Sequence, residues 1–313
     1  MTVLLTGGAG FIGSHVAEAY VAEGFSVVII DNFCTGKKEN LEDIYNHPQV
    51  VVYEEDINNL PALQKIVERH RPHIINHHAA QKSVPYSIEN PKHDAQENIM
   101  GLLNLLQVAK ETGIQSFIFA STGGALMNKG EIADENEPES FLSPYAITKF
   151  ASEKYIELYA KLYQFDYTIL RYSNVYGTRQ TEDGGECGVI PIFVNNIFNN
   201  RASTLFAYPD MPKGCIRDYV YVSDVARANM LASLNPINDR VNISGGEGLY
   251  IKEIYQLIQQ VFETSMDIKT TGPRQNDVKI SILSNEKAEK LLKWKPRVTL
   301  EQGLKEIRKS YAL

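Results

Sequence analysis

Thr6-Gly7-Gly8-Ala9-Gly10-Phe11-Ile12-Gly13 lies between a short apolar run, Val3-Leu4-Leu5, and a helical pattern through His15 to Glu23. Glycines at 7, 10 and 13 permit a tight strand-to-helix turn, a backbone open to pyrophosphate oxygens at the helix N-terminus, and close contact where helix meets strand. A second apolar run, Val27 to Ile30, ends in Asp31, at the spacing of an acid that accepts from both hydroxyls of an adenosine ribose. The same charge repels a 2′-phosphate and so favours NAD over NADP. A glycine string alone is a weak signal. Strand, glycine turn, helix and terminal acid in this order are a stronger one, and they require a βαβ unit.

The same alternation continues. Further strand candidates are Val50-Tyr53, His73-His77, Ser116-Ala120 and Tyr167-Arg171, and an amphipathic stretch from Pro91 to Thr112 reads as one helix. The expected fold class is therefore α/β: βαβ units in a parallel sheet, with a second, smaller C-terminal region. Residues 1–172 are expected to form the NAD-binding domain, with 219–244 returning to it. Residues 173–218 and 245–313, where Gly and Pro become denser and strands shorter, are expected to form the smaller region.

Lys+Arg 31 against Asp+Glu 38 leaves a net charge of −7, which disfavours nucleic acid and anionic membranes and assigns any anionic ligand to a few local cations. Three cysteines (Cys34, Cys187, Cys215) without CxxC spacing argue against a disulfide framework or a zinc site, and no metal is expected. No apolar run approaches the roughly 20 residues of a membrane helix, and no secretory pattern opens the chain. A cytoplasmic location is expected.

Ser143-Pro144-Tyr145-Ala146-Ile147-Thr148-Lys149 places Tyr-x-x-x-Lys at a helix start, with Ser143 suited to the N-cap and Pro144 to the first turn. Spacing i, i+4 puts both side chains on one face. A tyrosine with a pKa of about 10 is a poor base at neutral pH. An ammonium one turn away, the helix end and a bound nicotinamide cation all favour the phenolate. Ser121 and Thr122, ending a strand, offer hydroxyls to share the substrate's proton. Taken alone, such a Tyr/Lys pair is commonly a surface pair. Downstream of a dinucleotide turn it is the leading catalytic candidate. Asp56-Ile57 is a candidate adenine cover, with a helix N-cap as the plainer role for Asp56. His77 and His78, adjacent on a strand, face opposite sides and make a poor chelating pair.

These motifs resemble those of the NAD-dependent sugar epimerase/dehydratase family of extended short-chain dehydrogenases/reductases, and among them the UDP-glucose 4-epimerase type. The resemblance spans TGGAGFIGSH at 6–15, Asp31-Asn32-Phe33, HHAAQKSVPYSIENP at 77–91, Asn98 to Gly101, ASTGGA at 120–125, SPYAITK at 143–149, LRYSNVYGTRQ at 170–180, RDYVYVSDVARA at 217–228 and LLKWKP at 291–296. It implies a doubly wound (Rossmann) parallel sheet with a smaller C-terminal substrate-binding region, a tightly held NAD, a UDP-sugar substrate and a homodimer. By position it assigns Phe11 and Ile12 to the pyrophosphate turn, Asp31 to the ribose, Asp56 and Ile57 to the adenine, and Asn32 to the cofactor site. Ala79, Ala80, Lys82, Asn98 and Ser121 fall in the rest of the cofactor pocket. Thr122, Tyr145 and Lys149 resemble the catalytic triad. Lys82, Asn174, Phe206, Arg217, Arg274, Asp277 and Ser281 map to substrate contacts, with Arg217 and Arg274 neutralising the diphosphate.

The family supports several reactions, and the residues after Thr122 choose among them. Dehydratases carry Asp-Glu there, whereas this chain has Gly123-Gly124. Without an extra acid or base, C4 epimerisation through a transient 4-keto sugar is the expected reaction. Ser281, at a position where a tyrosine would narrow the sugar pocket, leaves room for an N-acetyl group, so UDP-N-acetylhexosamines are expected substrates beside UDP-glucose and UDP-galactose. Epimerisation of a UDP-uronic acid or another NDP-sugar, and a non-catalytic NAD-binding regulator, are the alternatives. Leu126-Met127-Asn128 departs from the family's usual aliphatic-Tyr-Gly, and 207–216 is not the short common form; an altered sugar-bordering loop is expected.

Overall fold

The computed structural model describes residues 1–127, 132–181, 188–273 and 278–311. Its strands are β1 Thr2–Thr6, β2 Ser26–Asp31, β3 Val50–Glu54, β4 Ile74–His77, β5 Ser116–Thr122, β6 Ile132–Ala133, β7 Asp166–Tyr172, β8 Asn174–Tyr176, β9 Ser203–Phe206, β10 Ile216–Tyr221, β11 Asp239–Ile243, β12 Gly248–Tyr250, β13 Ile268–Thr271 and β14 Ile280–Leu283. Its helices are α1 Phe11–Ala22, α2 Leu60–His70, α3 Val84–Glu89, α4 Pro91–Ala95, α5 Gly101–Thr112, α6 Pro144–Tyr163, α7 Val189–Phe198, α8 Val222–Leu234, α9 Ile251–Val261, α10 Glu286–Leu292 and α11 Leu300–Ser310.

A seven-stranded sheet in the order β11-β7-β5-β4-β1-β2-β3 is parallel throughout. Its strands are apolar on both faces because both faces are covered. Alternate residues go to opposite sides: Val3, Leu5, Val27 and Ile29 pack in one core with Val16, Ala17 and Val225, while Leu4, Val28 and Ile30 pack in the other with Leu63, Leu105 and Ile156. Strand order reverses between β1 and β4, and the crevice at that reversal is where open α/β sheets bind ligands. The stretch from Pro91 to Thr112 is not one uniform helix. It passes through a π turn at Gln96–Met100, an irregularity frequent at functional sites.

A second sheet, β12-β10-β14-β6 with β8 on β10, and the parallel pair β13-β9 are built from the C-terminal half, apart from β6 at Ile132–Ala133. Of the span 219–244, α8 packs on α1 and β11 joins the edge of the large sheet, whereas β10 stays in the small sheet, so the two parts are interleaved. The last segment is tied down through Asp224. Its carboxylate accepts from the backbone N–H groups of Arg297 (2.8 Å) and Val298 (2.9 Å) and from Arg227, and its carbonyl accepts from the Trp294 indole at 2.8 Å. Removing this buried acceptor strands three donors. Asp224→Ala is expected to lower stability by about 3 kcal/mol. Urea unfolding followed by fluorescence of Trp294, the chain's single tryptophan, measures it, and an unchanged midpoint would contradict the assignment.

Candidate active site

The glycine turn is shaped by what cannot fit. Gly7 has φ +68°, and a Cβ there would lie 2.6 Å from the Ala79 nitrogen; a Cβ on Gly13 would lie 2.0 Å from the Gly7 oxygen. Gly10 caps α1 without a side-chain hydrogen bond, leaving first-turn N–H groups to a ligand. Asp31 ends β2 beside this turn, its oxygens accepting from Ala9 N–H (2.8 Å) and Phe33 N–H (2.9 Å). Burial raises its carboxyl above the usual range, against these two donors. Each oxygen keeps a lone pair for a ribose hydroxyl.

Asn32 donates to Asp56 at 2.8 Å, joining the two into one polar edge. Burial pushes the Asp56 carboxyl up, but donation from Asn58 and Asn32 outweighs it and the net direction is down. Ile57 is buried in the sheet core, where a Cβ on Gly101 would meet its Cδ1 at 2.4 Å. Ala79 donates its N–H to Thr6 Oγ1 at 3.2 Å, Ala80 is exposed, and Lys82 is an exposed side chain at the cleft. A side-chain-free cradle, an open helix end and an acid at the next strand fit a dinucleotide.

At the other end of the crevice Ser143 caps α6, its Oγ accepting from Ala146 N–H at 3.2 Å, with Pro144 in the first turn. Tyr145 is half-buried on the cleft wall, and its backbone N–H donates to Ser87 Oγ at 3.2 Å, fixing the helix start against α3. One turn on, Lys149 is 4% exposed and holds its Nζ 4.3 Å from the Phe119 ring centroid. Burial lowers its pKa to about 8, while Glu153 and Asp94 pull the other way. Thr122 Oγ1 accepts from Ala125 N–H at 3.1 Å, which leaves its hydrogen for a group in the cleft. Ser121 differs: its hydroxyl donates to Glu153 Oε1 at 2.5 Å, so toward the cleft it offers lone pairs and not the shared proton expected of it.

Asn98 stands in the π turn, 3% exposed, donating to Gln81 O (3.0 Å) and to Asp94 Oδ1 (3.1 Å); it is behind the wall of the cleft and not on it. His77 pairs with Thr6 Oγ1 at 2.7 Å and His78 with the Tyr172 hydroxyl at 3.2 Å. Burial first and the Lys149 charge second keep both rings neutral, His78 down to about 3.

A cavity of about 650 Å³ joins the two ends to the small sheet: Gly10, Phe11, Ile12, Lys82, Ser121, Thr122 and Tyr145 share it with Asn174, Arg217 and Ser281. Arg217 and Ser281 are neighbours across the β10–β14 ladder. Asn174 donates to the Asp218 carbonyl at 3.0 Å, and Arg217 Nη1 to the Ile216 carbonyl at 3.0 Å. Asp218 itself is buried, its carboxyl pushed up to about 6 by burial, and it accepts from Gly245 N–H (2.7 Å) and Leu283 N–H (3.1 Å), holding β10, β14 and the 245 turn together. A Cβ on Gly123 would lie 2.3 Å from Leu283 Cδ1, and one on Gly124 3.9 Å from Ser281 Oγ. The floor beside Thr122 is thus filled by Leu283, with open space under Ser281.

Phe206 ends β9 and does not line this cavity. Arg274 and Asp277 lie outside the described residues, as does Asn128. Met127 is buried with Leu126, Ala133 and Leu283, so that departure from the family pattern is a core position. Sequence reasoning passed over Arg179, which lines the cavity with a left-handed φ of 66°, donates to Ser14 Oγ at 3.2 Å and pairs with Glu18 and Asp43. Nothing in the sequence announces that backbone conformation. Glu153 was also passed over, although its place eight residues after Tyr145 on the same helix face was a usable signal.

A doubly wound sheet whose glycine turn and Tyr/Lys helix open on one cleft defines an NAD-dependent enzyme of the extended short-chain dehydrogenase/reductase type. The chain belongs to the NAD dependent epimerase/dehydratase family, whose model matches residues 3–244. It is 38% identical over 307 residues to a putative UDP-glucose 4-epimerase of Methanocaldococcus jannaschii, covering 97% of this chain and 96% of that one. Among solved structures it is similar to the Thermotoga maritima UDP-glucose 4-epimerase with UDP-glucose (TM-score 0.93, 39% identity, 100% and 99% of the two chains covered). It is also similar to a UDP-N-acetylglucosamine 4-epimerase from Methanobrevibacter ruminantium in complex with UDP-N-acetylmuramic acid (TM-score 0.92, 32% identity, 99% and 98% covered).

The cradle makes a sharp demand on residue 13. Gly13→Ala is expected to force α1 off the turn, so that the purified protein carries little NAD. Release of nucleotide by acid and its quantification by absorbance would read this directly, and NAD retained at the wild-type level would remove Gly13 from the site.

Proposed function

We propose that this protein is an NAD-dependent 4-epimerase of UDP-sugars, with neutral hexoses and their N-acetylated forms as substrates. The observation that carries the reading is the single cavity in which Thr122 and Tyr145 face Arg217 and Ser281 beside two glycines. The named activities of the similar proteins support it. NAD, when bound, supplies reversible hydride acceptance at the sugar carbon. Tyr145 takes the proton of the sugar 4-hydroxyl, Lys149 favours its phenolate through charge, and Thr122 donates its remaining hydrogen to the same substrate oxygen. Lys82 and the first turn of α1 are the other polar wall, and Asp31, Asn32 and Asp56 hold the adenosine end.

The absence of a second acid at 123 or 124 leaves the 4-keto sugar no elimination step, so the ketone is reduced back on either face. Leu283 under Gly123 enforces this, because an acidic side chain at 123 would have to displace it. Arg217, with Arg274 by position, is assigned to the diphosphate and Asn174 beside it, Phe206 to the uracil side and Asp277 to its ribose. The neutral sugar is favoured over a uronic acid because Arg179, a further arginine on the wall, is committed to Glu18 and Asp43.

The test offers the purified protein UDP-galactose, UDP-N-acetylgalactosamine and UDP-galacturonate and follows the C4 epimers. Turnover of the first two is expected. Tyr145→Phe is expected to lose roughly 10²–10⁴-fold in turnover while keeping NAD, and Ser281→Tyr to lose the N-acetylated substrate selectively. Retained NAD with no product from any of the three would favour a non-catalytic regulator.

A homodimer is part of the same proposal. On α6, Ile147, Tyr155, Leu158 and Leu162 are exposed at helical spacing, a stripe that a second copy would cover. Sedimentation of wild type is expected to give twice the chain mass and Leu158→Glu the monomer. A monomeric wild type would refute this part alone.

A further inference from the structure

We propose that Glu153 is a positioning residue for this site: one buried carboxylate, oriented by Arg171, fixes the Ser121 hydroxyl at the cleft wall and supplies the negative charge opposite Lys149. The inference rests on the epimerase reading for its catalytic consequence, but its geometry stands apart. Glu153 and Arg171 are both 0% exposed. Glu153 Oε1 accepts from Ser121 Oγ (2.5 Å) and Arg171 Nε (2.9 Å), and Oε2 accepts from Arg171 Nη2 (2.6 Å). The same Nη2 reaches Glu139 Oε1 at 2.8 Å, so the guanidinium is itself fixed from two sides. α6 thereby presents Tyr145, Lys149 and Glu153 at successive turns of one face: phenol, ammonium, carboxylate.

A buried ion pair is a poor way to stabilise a core, since apolar residues of equal volume do as well or better. What an apolar pair cannot do is accept the Ser121 proton. With that proton committed, Ser121 shows only lone pairs to the cleft and discriminates for a donor group on the bound molecule. The division of labour with Thr122 follows: Thr122 gives a hydrogen, Ser121 receives one.

The second effect is on Lys149. The groups around its ammonium are Tyr145 and Glu153 on its own helix, Asp94 on α4, the neutral rings of His77 and His78 on and just after β4, and the Phe119 ring on β5. The two carboxylates are the counter-charges among them. Asp94 is already engaged by Gln81 (2.7 Å), Asn98 (3.1 Å) and Thr148 (2.8 Å). Burial opposes the ammonium, so losing the Glu153 charge moves the lysine toward its neutral form, the form that does not support a phenolate.

The experiment uses the protein as purified, labelled with [ε-13C]lysine, the Lys149 resonance being identified by its absence in Lys149→Met. A midpoint near pH 8 is expected in wild type, lower by about one unit in Glu153→Gln and intermediate in Glu153→Asp. In parallel, kcat on UDP-galactose is expected to fall roughly tenfold in Glu153→Gln with KM within about twofold, and the alkaline limb of the pH profile to move to lower pH. Trp294 fluorescence and thermal unfolding report the fold. Should Glu153→Gln not fold, Glu153→Asp decides. A folded variant with the wild-type lysine midpoint overturns the proposal, including one whose kcat has dropped, because that loss would then be structural. If wild type turns over no UDP-sugar, the epimerase reading fails while the lysine titration still judges Glu153.

Discussion

Helix α1 can start where it does only because residues 7 and 13 have no side chains. The Gly13 Cα faces the Gly7 carbonyl at a separation that no Cβ could share, and Gly7 in turn backs onto Ala79 after β4. Two neighbouring strands and one helix N-terminus therefore meet at backbone contact. The crevice at the β1/β4 reversal gets its N–H lining from that contact, and α1 gets the seat from which it packs on α8. Everything on this side of the sheet is registered from there. Arg179 and Thr178, reaching Ser14 and His15 from the far half, dock on the same first turn.

Asp218 does the equivalent work for the small sheet. A carboxylate fully out of water is costly unless its lone pairs are filled, and here the donors come from three separate segments, at Ser173, Gly245 and Leu283. Its neighbours in sequence, Arg217 and Tyr219, are thereby held on the cleft wall. The small-sheet side of the cavity thus depends on a buried acid just as the glycine-turn side depends on absent side chains.

The sequence made the first of these legible and the second not. Glycine spacing, the strand-terminal Asp31 and Tyr-x-x-x-Lys are local patterns whose physical demand can be stated from a dozen residues, and each occupies the expected place in the fold. The return of β11 to the large sheet falls within the expected span 219–244, but the place of β10 in the small sheet and the pairing of Arg217 with Ser281 depend on contacts dozens of residues apart. Periodicity gave one helix from Pro91 to Thr112 because apolar spacing does not register a π turn. The engagement of Ser121 is hidden for a related reason: a hydroxyl at a strand end looks available until its acceptor, Glu153, is seen behind it. Met127, which looked like a change in the sugar loop, is a core residue whose burial the family pattern alone could not express.

Charge brings these strands together. With a net charge of −7 the chain has no long-range pull on an anion, so recognition falls to cations fixed in place. Those at and behind the cleft are not spread evenly. Lys149 and Arg171 stand with Glu153, Glu139 and Asp94 behind the cleft, while Arg217 and Lys82 lie on its wall. The buried group costs desolvation that packing alone would not justify. An ammonium beneath a phenol needs a carboxylate to stay charged once water is excluded, and a carboxylate so placed needs a guanidinium of its own. On the proposed role of Tyr145 as a base, one requirement there is enough to account for a chain of charges that continues through Lys149, Glu153 and Arg171 to Glu139, where the Glu139 side chain again meets solvent at 16% exposure.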